Sequence, residues 1–230
     1  AAEPIANQQA LVRFHSPTFG PADAPVIIVE FFDPSCEACR AFYPIVKQIL
    51  AEYPGQVRLV LRYTMFHQGS EEVSRILEAA RLQDVYEPVL EAVLEVQPAW
   101  HDDPKVAKAW GAAEAAGLDL SQAREDMQSE RISAILDQDM QDVKTIGVRG
   151  TPTFFVNGRH LTEFGPNTLL RLVHGECWLL FLAAWCHFSH PALCRWFRGI
   201  YRSLRAALSQ TVRVDCNLCG SVSVLSLGSV

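Results

Sequence analysis

No stretch of the 230-residue sequence approaches the length of a membrane-spanning helix. Nor does the chain open with a charged segment followed by an apolar one, so no signal peptide is expected within it; Ala1-Ala2-Glu3-Pro4 is compatible with a mature chain cleaved after small residues. Positive charge is not in excess. The formal net charge is -6, which argues against nucleic acid as the main partner. The paired acids Asp102-Asp103 and Asp137-x-Asp139-x-x-Asp142 lack a glycine-centred calcium loop and lie in helical patterns, so they read as solvated faces and no metal site is expected. The last part of the chain, 178–230, lacks lysine altogether and has Asp215 as its single acid, against five arginines (Arg195, Arg198, Arg202, Arg205, Arg213). The preceding part is therefore acidic and the tail basic.

Hydrophobic content of 49% and charged content of 20% suit a globular chain long enough to bury one sizeable core. The most informative stretch is Val26-Ile27-Ile28-Val29-Glu30-Phe31-Phe32-Asp33-Pro34-Ser35-Cys36-Glu37-Ala38-Cys39-Arg40. Its β-branched and aromatic run from Val26 to Phe32 predicts a strand covered on both faces. An Asp-Pro turn follows, and then a helix with Ser35 as its cap and Cys36 in its first turn, where unpaired N–H groups and the helix dipole favour a thiolate. Cys39 lies one helical turn further, on the same face. An accessible, acidified thiol with a second thiol beside it meets the needs of thiol–disulfide exchange. A zinc half-site would need two more ligands, and a structural disulfide more often staples distant segments, so the strand-then-helix context favours redox chemistry. Glu30, among apolar neighbours inside a strand, is expected to be buried. In Gly150-Thr151-Pro152-Thr153-Phe154-Phe155-Val156-Asn157-Gly158, a short strand begins after Pro152 and ends in an Asn-Gly hairpin turn.

From about Pro17 to about Glu176 the chain resembles the DsbA-like thiol–disulfide oxidoreductases of thioredoxin fold. The resemblance is carried by Gly20-Pro21-Ala22-Asp23-Ala24-Pro25-Val26, the run Phe31 to Cys39, Gly117-Leu118-Asp119, and Gly147 to Gly158, in that order. It implies an α/β fold with a helical insertion at about 70–146, an N-terminal arm (1–16), and a C-terminal extension (177–230) outside the fold. It implies that Cys36 attacks and Cys39 resolves, that a cis Pro152 packs against the pair, and that Thr151 offers backbone groups to substrate. Glu30 falls where related proteins keep a buried acid that relays a proton to the second cysteine, with Arg62 expected near it. The partners implied are protein thiols or disulfides and a redox partner protein, in a periplasmic or otherwise exported compartment, with no metal or organic cofactor. Glu37-Ala38 stands where DsbA has Pro-His, and Thr151 resembles isomerase and reductase members, so a less oxidising pair is expected. The alternative is a redox-silent, peptide-binding chaperone or adaptor of the same fold.

Between the motifs, Val57 to Phe66 reads as a second strand, and Ser70 to about Trp100, Pro104 to Ala116, Ser121 to Ile146 and Asn167 to Glu176 as helices. His67 reads as a turn or surface histidine, and Trp100 and Trp110 as core or groove anchors. The extension holds five of the seven cysteines (Cys177, Cys186, Cys194, Cys216, Cys219). Its arginines and the apolar Leu193, Phe197, Ile200, Leu204 and Leu208 line separate faces of a helix over 193–208, a surface suited to weak contact with a membrane or a partner. A zinc site from Cys186, Cys194, Cys216 and Cys219 with His187 or His190, and an extension with little evolved structure, are the competing readings.

Overall fold

The apolar run of the first motif forms the middle of the sheet. A computed structural model describes residues 10–101, 103 and 105–188. The chain divides into two compact units, Ala1–Cys177 and Trp178–Val230. The first unit contains β1 (Thr18–Phe19), β2 (Val26–Phe32), α1 (Glu37–Glu52), β3 (Val57–Tyr63), α2 (Ser70–Leu82), α3 (Tyr86–Glu95), a 3-10 turn (Gln97–Ala99), α4 (Ala107–Ala115), α5 (Leu120–Asp126), α6 (Glu130–Ile146), β4 (Thr153–Val156) and β5 (Arg159–His160). The last helix, α7 (Pro166–Phe188), runs from the first unit into the second. Of the second unit, the described residues are that continuation, where the Trp178 and Phe181 rings lie 6.4 Å apart. The expectations for Cys194, Cys216, Cys219, His190 and the helix over 193–208 lie outside the described residues, as do those for the side chains of Cys186 and His187.

Strands are ordered β1-β3-β2-β4-β5, with β2 and β3 parallel and the other pairs antiparallel. The period-two alternation of strand side chains divides the sheet's surroundings. One face carries Val26, Ile28, Phe32, Leu59, Leu61, Phe154 and Val156 against α1 and the helical insertion. The other carries Val29, Phe31, Val60 and Phe155 against Val143, Val148 and Leu11. The β4–β5 hairpin turns at Asn157 (φ 47°) and Gly158 (φ 78°), both left-handed, as a two-residue turn matched to strand twist requires.

Four boundaries differ from the sequence reading. The segment 70–100 is two helices and a 3-10 turn, because Asp84 takes a left-handed φ of 59° with neither glycine nor proline to signal it. The segment 121–146 breaks at Ser129, whose hydroxyl caps α6 by accepting from Ile132 N–H. The last helix begins at Pro166 and passes Glu176 without a stop. The stretch before Pro17 is no loose arm over its described part: Ala10 and Leu11 are buried, and Arg13 and His15 are tied to α6.

Of the α6 acids read as a solvated face, Asp137 is exposed, but the other two are not. Asp139 and Asp142 are buried and converge on Arg62, which is itself wholly buried. Arg62 donates to Asp139 Oδ1 at 2.8 and 3.0 Å, to Asp142 Oδ2 at 2.6 Å, and to the backbone carbonyls of Ala10 and Leu11. Arg13 donates to both Asp142 oxygens, His15 Nε2 lies 2.8 Å from Asp139, and Tyr63 N–H donates to Asp139 Oδ2. Arg62 is thus not beside Glu30. It pairs in register with Phe31, under whose ring its guanidinium lies at 5.6 Å, whereas Glu30 pairs with Leu61 and points to the opposite face.

Candidate active site

The turn between β2 and α1 is built by a buried aspartate. Asp33 is fully buried, and its carboxylate accepts from Ser35 N–H (2.9 Å), Phe66 N–H (2.8 Å), His67 N–H (3.3 Å) and Ser70 Oγ (2.5 Å), with His67 Nδ1 at 2.8 Å. Its carbonyl accepts from Cys36 N–H and its own N–H points at Cys39 Sγ, 3.4 Å away. This carboxylate, missed in the sequence reading beyond its place in an Asp-Pro turn, fixes the backbone on which both cysteines hang. His67 is half-exposed at the junction, a turn histidine as read. Ser35 does not cap α1, because its hydroxyl donates instead to the carbonyl of Gln68; Cys36 itself occupies the N-cap, with φ -79° and ψ 121°.

Gly69 closes the same corner. Its φ of 76° is left-handed, and a Cβ there would lie 2.6 Å from Val106 Cγ1. Glycine lets the loop after β3 approach the helical insertion. Trp100 and Trp110 are both buried in that insertion, as anchors of the core.

Cys36 and Cys39 are both free thiols, and their environments differ. Cys36 lies at the helix N-terminus, where its Sγ donates to the carbonyl of Thr151 at 3.3 Å. Its pKa falls to about 5, first through the hydrogen bond from Cys39, opposed by burial, and then through the Thr151 side chain and the N–H groups of Cys39 and Ala38. The Thr151 hydroxyl has no hydrogen-bond partner among the described residues, so it is at hand for the sulfur once the thiol proton leaves. Cys39 is wholly buried, and desolvation first, then its bond to Cys36 and the nearby Glu30, push its pKa well above the ordinary value. Glu37, between the two cysteines, has its carboxylate turned to water, 3.8 Å from His101.

Glu30 is buried on the sheet face that carries α1, with Oε1 lacking a partner among the described residues. Burial, and secondarily the Cys36 charge, raise its pKa to about 8. The Thr151–Pro152 peptide bond is cis, and the Thr151 carbonyl lies against Cys36. Among the described residues no group of histidines, cysteines and carboxylates could hold a metal ion. The arrangement therefore offers one stabilised thiolate, one protonated thiol behind it, and one buried carboxyl poised between proton states.

The molecule is a thioredoxin core with a helical insertion, and it carries a Cys-x-x-Cys pair at a helix N-terminus. A family model described as thioredoxin matches residues 14–174, and the chain belongs to that family. A solved thioredoxin-like oxidoreductase from Silicibacter pomeroyi DSS-3 is 28% identical, with a TM-score of 0.66 over 75% of this chain and 98% of its own. The fold of alpha-DsbA1 from Wolbachia pipientis is also similar, with a TM-score of 0.65 at 15% identity over 76% of this chain and 98% of its own. Among curated relatives, a protein of Salinispora tropica named Na(+)/H(+) antiporter NhaA 3 is 34% identical over 150 residues, 64% of this chain. The match is 22% of that protein, so the chain spans about a fifth of the length of the curated relatives it matches. Among the described residues no helix is long and apolar enough to cross a membrane.

Proposed function

We propose that Cys36 is the attacking thiol and Cys39 the resolving thiol of a protein disulfide oxidoreductase, with Glu30 as the proton acceptor for Cys39. The observation that carries this reading is the asymmetry of the pair: Cys36 ionises near pH 5 while Cys39 stays protonated. The Cys36 thiolate attacks one sulfur of a substrate disulfide, forming a mixed disulfide and releasing the other substrate sulfur as thiolate. Cys39 then loses its proton to Glu30 and attacks Cys36 Sγ. The substrate's second thiolate leaves, and Cys36–Cys39 becomes the disulfide. Two electrons pass from the dithiol to the substrate, and the reverse sequence oxidises a substrate dithiol. A redox partner protein resets the pair in either direction.

The charge of Cys36 gives this relay its timing. Part of what holds Glu30 protonated is the negative sulfur of Cys36. Forming the mixed disulfide removes that charge, lowers the Glu30 pKa, and readies the carboxylate at the step that needs a base. Thr151 and cis Pro152 line the substrate side, where the Thr151 carbonyl already accepts from Cys36 and is placed for a substrate backbone N–H.

The direction of flow follows from the thiolate. Thiolate pKa values lie at about 7 in thioredoxin and about 3.5 in DsbA, and a lower value stabilises the reduced form. A Cys36 value of about 5 supports an intermediate potential, less oxidising than DsbA. Protein thiols of a periplasmic or otherwise exported compartment are the substrates this suits. The test is the equilibrium of the Cys36–Cys39 pair in a glutathione buffer series, with a Cys36→Ser, Cys39→Ser variant to subtract the other thiols. A transition between those of thioredoxin and DsbA is expected. No transition would leave a redox-silent binding module.

A further inference from the structure

One buried side chain of the helical insertion reaches the nucleophile's turn, and the exchange reaction has so far given it no part. Gln97 lies in the 3-10 turn between α3 and α4 and is wholly buried. Its Nε2 donates to the carbonyls of Pro34 (2.7 Å) and Cys36 (3.0 Å), and its Oε1 accepts from Arg40 Nε at 3.1 Å. Both amide hydrogens and the amide oxygen are thereby used. The orientation is fixed, because a flipped amide would set its oxygen against two carbonyl oxygens. We propose that Gln97 is a positioning residue for the Cys36 sulfur, holding the turn from which the nucleophile is presented and joining the helical insertion to the redox pair.

Cys36 is an N-cap whose side chain makes no capping bond, and α1 ties its backbone through Arg40 N–H, which donates to its carbonyl. The front of the turn is held by Asp33, which accepts from Ser35 and Cys36, and by the Ser35 hydroxyl bonded to Gln68. The back is held by Gln97. It bonds the carbonyl of Pro34 and adds a second donor to the Cys36 carbonyl, which already accepts from Arg40 N–H. Two physical effects follow. Fixing both carbonyls fixes the Cα–Cβ direction of Cys36, and with it the reach of Sγ to Thr151 and to the N–H groups of residues 38 and 39. Donors on the carbonyls also draw down the negative potential behind the sulfur. A glutamine buried only for packing would be a poor choice, since an apolar residue of the same size fills the space without desolvating an amide.

This inference rests on the oxidoreductase reading above, and the full chain tests both. Thiolate absorbance and alkylation rate against pH are measured for the native protein, for Gln97→Met, which keeps volume and loses the donors, and for Gln97→Asn, which keeps the chemistry but is one methylene too short. Unfolding midpoints are recorded alongside. Loss of the two bonds is expected to raise the Cys36 pKa by about one unit, so that at the native midpoint the thiolate fraction falls from a half to about a tenth and alkylation slows about fivefold. Both variants are expected to shift, so Gln97→Asn carries the test if Gln97→Met does not fold. Lowered midpoints with an unmoved Cys36 pKa would make Gln97 a packing residue and overturn the proposal. A native protein with no redox transition would instead overturn the oxidoreductase reading, whatever the variants do.

Discussion

The two faces of the sheet treat buried charge in opposite ways. One residue from each of the two central strands illustrates it: Arg62 of β3 points to the α6 face, Glu30 of β2 to the α1 face, and both are buried. Around Arg62 every charge is answered. Asp139, Asp142, Arg13, His15 and two backbone carbonyls share a network in which each carboxylate oxygen and each Arg62 nitrogen meets a partner. Around Glu30, Oε1 has none among the described residues. Asp33, close to the cysteines and equally buried, is saturated by donors, so proximity to the site does not explain the difference. A buried carboxylate without donors costs several kcal/mol when charged and shifts its pKa instead. On one face charge is architecture; on the other it serves the proton transfer of the proposed relay.

The largest effect is expected from breaking the paired face. Arg62→Leu leaves Asp139 and Asp142 buried with their main cation removed, and unfolding free energy should fall by about 3–5 kcal/mol. Chemical denaturation near neutral pH measures it. A loss below about 1 kcal/mol would mean that the network is dispensable and that pairing does not distinguish the faces.

The opposite sign is expected at Glu30. Its folded pKa of about 8 lies above an unfolded value near 4.5, so the folded state binds the proton more tightly. Its contribution is fully favourable below pH 4.5 and is lost progressively as pH rises to about 8. Glu30→Leu should flatten that slope and gain on the order of 2–4 kcal/mol at pH 8, with little gain at pH 4. Glu30→Gln, tested in turnover, should lengthen the lifetime of the mixed disulfide roughly tenfold or more, as loss of a general base does. A stability slope unchanged by Glu30→Leu would show that another group titrates in that window.

Much of the α1 face was legible in the sequence because its signals are local. The β-branched run around Glu30, the Cys-x-x-Cys spacing, Pro152 at the start of a strand and the Asn157-Gly158 turn each depend on neighbours along the chain. The α6 face was misread because its partners are far apart. Asp139 and Asp142 sit on α6 like any charged helix stripe, and their cation, Arg62, is 77 and 80 residues away. One signal did exist: an arginine inside an apolar strand must find carboxylates, and strand parity sets it on the face away from Glu30. Gln97 and Asp33 carry no such signal, since an amide in a helical pattern and an aspartate in a turn are both ordinary on a surface.

The smallest expected effect lies at the far end of the α1 face, where His174 tests whether an imperfectly paired buried group costs stability away from the chemistry. Its Nδ1 lies 2.8 Å from the hydroxyl of Tyr53, and its Nε2 is buried without a hydrogen-bond partner among the described residues. Burial lowers its pKa below the ordinary 6.5, so the unfolded chain binds the proton more tightly than the folded one. The sign is opposite to that of Glu30: the contribution is fully present above pH 6.5 and is lost as pH falls through the folded value. Because the residue is only partly buried, solvent screens the charged form, and the loss should stay below about 1 kcal/mol. Thermal unfolding of the native protein and His174→Gln, compared between neutral and mildly acidic pH, isolates it. The variant should lose less stability than the native protein on acidification, while the Cys36–Cys39 equilibrium stays where it was. An equal loss in both would mean that the face tolerates a charged imidazole, and that the cost of unanswered charge is confined to the surroundings of Glu30.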